Sequence, residues 1–461
     1  MNPRSNIRDF TQGNVARQLV TFAAPLFLSN LLQIVYNMVD MIIVGQKLGK
    51  VGLSAVSIGG DVSHFLTFIA MGFSSAGQVI IAQYLGAQQT KRISRFIGTM
   101  FTFLMLIAVA VSAICTALRV PILHLMNTPA ESFSEALAYA TVCTVGLVFI
   151  YGYNIVSAVL RGMGDSIRPF IFISIAAVTN IVLDLALVLG LDMGSAGAAF
   201  ATVFSQALSF VLGSIYILRN RERYGIEIVP REFFSLDRAM LSRLVQLGIP
   251  MAIKSAAVQM SKLFVNSWIN SYGVAVSAFA GVANKINSVT NLFSQAFNTA
   301  GSSMVGQNIG AGRYERVRHI MLTIFAITSA IATVMTVLIV TIPEKIYGCF
   351  TTDADVIAVG MGFIPIAVLL FYGSAARSGM NAFINGSGNT KANFATAILD
   401  GIVLRIGLSV LFGLTLGMRH YGFWLGDALA GFTPLWLGAI FYFRGSWRKP
   451  KDTLSAAEEK G

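Results

Sequence analysis

Long apolar runs, each broken by a few polar or glycine-rich residues, fill the chain from residue 18 to residue 443. A helix needs about 20 apolar residues to cross a bilayer. The pattern predicts twelve spans: 18–44, 52–82, 95–118, 135–160, 167–191, 195–218, 242–271, 274–304, 317–341, 354–382, 392–416 and 421–443. Several exceed 25 residues, which implies tilt or helix that runs past the lipid. The connections are short except for 219–241, which carries Arg219, Arg221, Arg223, Arg231 and Arg238 and divides the spans six and six. The expected fold is an all-α polytopic membrane protein with twelve transmembrane helices in two pseudo-symmetric six-helix lobes. Residues 1–218 form the N-lobe, 219–241 a cytoplasmic linker, 242–445 the C-lobe and 446–461 a mobile cytoplasmic tail.

The halves repeat. Gln83-Tyr-Leu-Gly86-Ala87 matches Gln307-Asn-Ile-Gly310-Ala311, and Arg161-Gly162-Met-Gly164-Asp165 matches Asn385-Gly386-Ser-Gly388-Asn389 at the same offset. Leu19-Val20 before Pro25 matches Leu244-Val245 before Pro250. Two copies of one six-span unit in parallel imply an axis along the membrane normal and a central cavity.

Composition agrees with the span pattern. The chain of 461 residues is 55% hydrophobic and only 12% charged, with mean hydropathy +0.70; soluble domains carry about 25% charged residues. The net charge of +12 is a topology signal and not a nucleic-acid footprint. One side of the spans collects 23 Lys and Arg against five on the other (Lys47, Lys50, Arg119, Lys345, Arg419), which places both termini in the cytoplasm of a prokaryotic inner membrane. The first apolar run is too long for a cleaved signal and is expected to be retained. Three cysteines and four scattered histidines show no metal spacing. The chain has no phosphate-cradling loop and no nucleophile–base set, so neither ATP drive nor an enzyme is expected.

The paired motifs, with Pro25 early in span one and the Gly45–Gly49 end of that span, make the chain resemble the multidrug and toxic compound extrusion family over residues 14–445. The N-lobe acid pattern is closest to the DinF-like branch. The resemblance implies a V-shaped pair of lobes and export of organic cations and other amphiphiles against inward H+ or Na+. It also implies a hinge at Pro25, no cofactor beyond the coupling ion, and a monomer. The alternative within the same superfamily is a flippase for lipid-linked saccharides.

Two acids lie inside N-lobe spans, and an ionisable group there costs about 2.5–3.5 kcal/mol on insertion scales. Asp40 is seven residues from Lys47, and Asp184 is seven from Leu191, both at span ends. Thr202 is seven into the returning span, so all three should share one depth, with about 1.5 Å of rise per residue. Asn180 sits one turn from Asp184. Two carboxylates in one low-dielectric site cannot easily both ionise. A proton, or a Na+ held by carboxylate, amide and hydroxyl oxygens, would relieve them. The resemblance assigns the cation site to Asp40, Asn180, Asp184, Ala198 (through its carbonyl) and Thr202. Gln33, Tyr36 and Asn37 on span one, with Tyr151 and Asn154 on span four, either line a substrate cavity or bond between helices. In the C-lobe, Asn284, Asn287, Asn291, Gln295 and Asn298 form one face of span eight. There Gln259, Lys262, Asn291 and Asp400 are either a polar network on the substrate or internal pairs. The excess of in-span bases would favour anionic substrates.

Overall fold

A computed structural model describes residues 7–227 and 236–448. Among these residues every element is helical. The helices are α1 Val15–Gly86, α2 Thr90–Ala117, α3 Arg119–Leu125, α4 Phe133–Val145, α5 Leu147–Gly162, α6 Ile167–Asp184 and α7 Gly194–Arg219. They continue as α8 Arg238–Asn270, α9 Val274–Gly310, α10 Tyr314–Thr341, α11 Pro343–Gly348, α12 Ala354–Gly386, α13 Thr390–Ile398, α14 Leu404–Val410, α15 Arg419–Ala430 and α16 Thr433–Phe443. The expected mobile tail lies outside the described residues from 449 onward, as does 228–235 of the expected linker.

Each of the twelve expected spans coincides with helix to within a residue or two, apart from breaks at Gly146 and at 431–432. Among the described residues eight helices are long and apolar enough to cross a membrane, and the α4–α5 pair, bent by 47°, makes a ninth. The difference from twelve has two sources. First, α1 holds two spans joined at Gly49, whose φ of +61° an L side chain rarely adopts. That single residue turns the chain back, so a Cβ on Gly45 would lie 3.0 Å from Leu53. The sequence pattern places a seven-residue loop there; one glycine suffices. Second, α8 and α9 are 33 and 37 residues long but carry lysines and asparagines that dilute their apolarity.

The chain divides into two compact units. One contains Ala24–Ala252; the other contains Phe10–Ala23 and everything from Ile253. Each division falls beside an in-helix proline, Pro25 in α1 and Pro250 in α8. The start of each repeat's first helix therefore belongs to the unit of the other repeat.

The repeated motifs have packing reasons. Gln307 Oε1 accepts from the Phe10 backbone N–H at 3.0 Å, and Arg316 donates to the carbonyls of Phe10, Gln12 and Gly13 at 2.8–2.9 Å. In the first unit Gln83 Oε1 accepts from Arg243 in the same way. Arg161 Nε donates to Gln78 at 2.9 Å, and a Cβ on Gly162 would meet the Gln78 carbonyl at 2.9 Å. Gly164 turns left-handed, and Asp165 Oδ1 then accepts from the N–H groups of Ile167 and Arg168, capping α6. The second copy repeats this with Gly386 against Ser302, Gly388 left-handed, and Asn389 accepting from Ala392 N–H at 3.0 Å. Tyr224 donates to Asp165 at 2.8 Å; burial and then that carboxylate push its phenol well above its usual range, so it stays a donor.

Large apolar side chains such as Leu106, Val178, Val334 and Trp436 stand exposed on the outer faces of their helices. On helices of this length that surface is a lipid face.

Candidate functional site

The acids predicted from the sequence come together in the first unit. Lys47 pairs with Asp192 at 3.0 Å, tying the end of the first span to the α6–α7 turn. Asp40 and Asp184 therefore lie at one level, seven and eight residues back from that pair. An apolar cluster of Ile43, Val44, Val56, Tyr139, Cys143, Val188 and Ala198 binds the same helices around them. The two carboxylates are close enough for the charge of one to act on the other.

Their hydrogen bonding is incomplete. Asp184 is 0% exposed and Asp40 6%; neither Asp184 oxygen, nor Asp40 Oδ1, has a partner among the described residues. Neither has an ion pair there. Asn180 donates to Thr202 Oγ1 at 3.4 Å, and its own Oδ1 is left open. Buried oxygens without donors are costly. Four acceptor oxygens from three side chains are thus buried in this unit without a donor among the described residues. Asp184 ends the regular part of α6, and the next turn, Leu185–Gly190, widens to π-helix. Such turns recur at functional sites because they re-aim side chains. Ala198 is wholly buried, and its small side chain lets α7 close on this region.

The remaining N-lobe candidates separate. Gln33 and Tyr36 are part-buried and Asn37 exposed along one side of span one, with Tyr36 in hydrogen-bonding reach of Gln206. Tyr151 takes the interhelical alternative: it is 0% exposed, packed in a core cluster, and its hydroxyl donates to the Leu66 carbonyl at 3.0 Å. Asn154 turns back on its own helix, donating to the Ile150 carbonyl at 2.8 Å.

The second unit holds a cavity of about 240 Å3. Gln259, Lys262 and Asn291 line it, as does the Asn284–Asn287 part of the span-eight stripe. Farther along that stripe Asn298 accepts from Asn385 at 3.4 Å. Asp400 lies deeper, 1% exposed, in a π-turn, accepting from Arg405 at 2.9 Å and Arg377 at 3.4 Å. Arg405, itself wholly buried, also pairs with Asp427. The sequence reading passes over Asp427, although an acid within an apolar span is the same signal that singled out Asp400. Lys254 donates to Asn381 at 2.6 Å.

A family model described as MatE matches residues 25–186 and again 250–411, so each copy begins on an in-helix proline, Pro25 or Pro250. The chain belongs to the MatE family. This MatE chain is 29% identical to a probable multidrug resistance protein, YpnP, of Bacillus subtilis, over 96% of the chain and 98% of that protein. It is 25% identical to a probable multidrug resistance protein NorM of Thermotoga maritima over 94% of both. Among solved structures it superposes on a multidrug resistance MATE transporter in an outward-facing conformation with TM-score 0.86 at 21% identity, covering 96% of this chain and 98% of that one. It matches a MOP-superfamily transporter of Pyrococcus furiosus, described as having a binding pocket of reverse polarity, with TM-score 0.85 at 22% identity, covering 96% and 98%. The MatE chain is therefore a multi-pass membrane transporter and not an enzyme.

Proposed function

We propose that this MatE transporter exports amphiphilic small molecules, organic cations among them, in exchange for H+ or Na+ taken up at Asp40 and Asp184. The observation that carries the proposal is Asp184: wholly buried, beside a second acid, with neither oxygen bonded among the described residues. A proton would turn one carboxyl into a donor. A Na+ would instead be held by the Asp40 and Asp184 carboxylates, the Asn180 and Thr202 oxygens and the Ala198 carbonyl. Either relieves the same repulsion, and binding of ion and substrate is then coupled reciprocally. With the site open outward, the ion enters and substrate leaves. Span one bends at Pro25, the transporter turns inward, the ion departs and substrate reloads.

The names of the relatives support drug export over a lipid-linked saccharide flippase. The 23-to-five imbalance of Lys and Arg supports cytoplasmic termini in a bacterial inner membrane. A monomer suffices, since the site forms within one chain.

The test is efflux of a fluorescent organic cation from proteoliposomes under an imposed H+ gradient and, separately, a Na+ gradient. Wild type should follow one gradient, naming the ion. Asp40→Asn and Asp184→Asn should reconstitute normally and lose gradient-driven transport. Wild-type rates in both variants would make the acids structural.

A further inference from the structure

The in-span charges of the second unit do not cancel. Lys254, Lys262, Arg377 and Arg405 face two acids, Asp400 and Asp427. Arg405 bridges both acids and Arg377 adds to Asp400, so the acids are already covered. Lys262 has no ion pair within 4 Å among the described residues, and its side chain lines the cavity of about 240 Å3. A smaller recess opens beside it against Arg377 and Arg405. The buried Nε of each arginine has no partner among the described residues.

The rest of the lining suits an acceptor. Asn287 and Asn291 supply amides that can donate and that make no other side-chain bond among the described residues. The aromatic rings of Phe363 and Trp424 and the aliphatic Leu370 complete the lining. A base left without an acid inside a span is costly and is retained where it has work to do. Whole-drug pockets run to about 300–1,000 Å3, so this cavity accommodates a head group and one ring system.

We propose that this cavity binds the anionic head of an aromatic amphiphile, a carboxylate or sulfonate, with Lys262 and the asparagine amides on the charged group and Phe363 and Trp424 against the ring. A cationic head would meet Lys262 with the two arginines behind it. The proposal goes beyond the coupling reading, and because binding needs no ion gradient, either can fail without the other.

The test is isothermal titration of the detergent-purified transporter with naphthalene-2-sulfonate, the neutral naphthalene-2-sulfonamide and 2-naphthylmethylammonium. The sulfonate should bind at least about tenfold more tightly than either comparator, the scale of one charged hydrogen bond. Lys262→Gln should remove that preference and Lys262→Arg should keep it. Lys285→Gln, on an exposed position of α9 that is not part of the cavity lining, should leave the isotherm unchanged. Equal affinity for the three naphthalenes, or an undiminished preference in Lys262→Gln, overturns the proposal. Should Lys262→Gln not purify as folded protein, the pair Asn287→Leu and Asn291→Leu, which removes the amide donors, decides in its place by the same criteria.

Discussion

At the scale of single residues, two kinds of buried charge are set apart by their partners. Asp184 has none among the described residues, whereas Asp400 has two guanidinium groups. Their replacements should therefore behave differently. Asp184→Asn keeps the volume, removes an uncompensated charge and should leave thermal stability in detergent unchanged or raised while abolishing gradient-driven efflux. Arg405→Met leaves Asp427 without an ion pair among the described residues and Asp400 with Arg377 alone, and removing one partner of a buried pair costs about 3–5 kcal/mol. Its unfolding transition should fall well below wild type by thermal denaturation in the same detergent. Glycine matters at the same scale. A Cβ on Gly146 would sit 2.3 Å from Val203, and one on Gly162 would press on a backbone carbonyl. Gly162→Ala should cost about 1–3 kcal/mol through overpacking, again read by thermal unfolding.

At the scale of elements, the repeated Gln-x-x-Gly motif is a clamp on the start of the other repeat's first helix. Gln307 with Asn308 and Arg316 holds residues 10–18, and Gln83 holds Arg243. Removing one acceptor should loosen only the segment it holds. In Gln307→Leu, amide hydrogen exchange should accelerate across residues 10–18 and stay unchanged across α6 and α7. Equal protection would mean that Arg316 and Asn308 retain the segment without Gln307. Two of the in-span acids also sit where α-helix gives way to π-helix, at Asp184 and Asp400. Asp184 closes the regular α-helix just before its π-turn, and Asp400 lies within one.

At the scale of the whole molecule, the basic imbalance sets an orientation that one cysteine can report. Cys349 is exposed in the connection after α11, on the side with few bases, while Cys115 and Cys143 are buried. A membrane-impermeant maleimide applied to intact cells should label wild type and not Cys349→Ser. A cysteine at the basic side, Lys91→Cys in the Cys349→Ser background, should label only after the cells are opened. The reverse pattern would invert the topology.

Much of the fold was legible because a bilayer admits so few solutions. Apolar runs of sufficient length must be helices that satisfy their own backbone, and Lys and Arg counts across alternate loops orient them. The same reasoning reached Asp40 and Asp184, since an acid in lipid needs a purpose, and equal spacing from span ends placed them at one depth. It left Tyr151 open between a cavity and an interhelical bond because a helix face read from spacing does not say whether a neighbouring helix covers it; the bond to the Leu66 carbonyl comes only with folding. It passed over Asp427 although that acid carries the same in-span signal as Asp400; what only folding shows is the network of residues 377, 400, 405 and 427. Sequence by itself thus determined where the apolar helices run and the chemistry of the isolated acids, which depend on local composition and the thickness of a membrane. Tertiary structure alone decided which charges are neutralised, which cavities stay open and which unit each proline-bearing helix joins. Those depend on distances between residues far apart in the chain, where a single Cβ or one guanidinium changes the outcome.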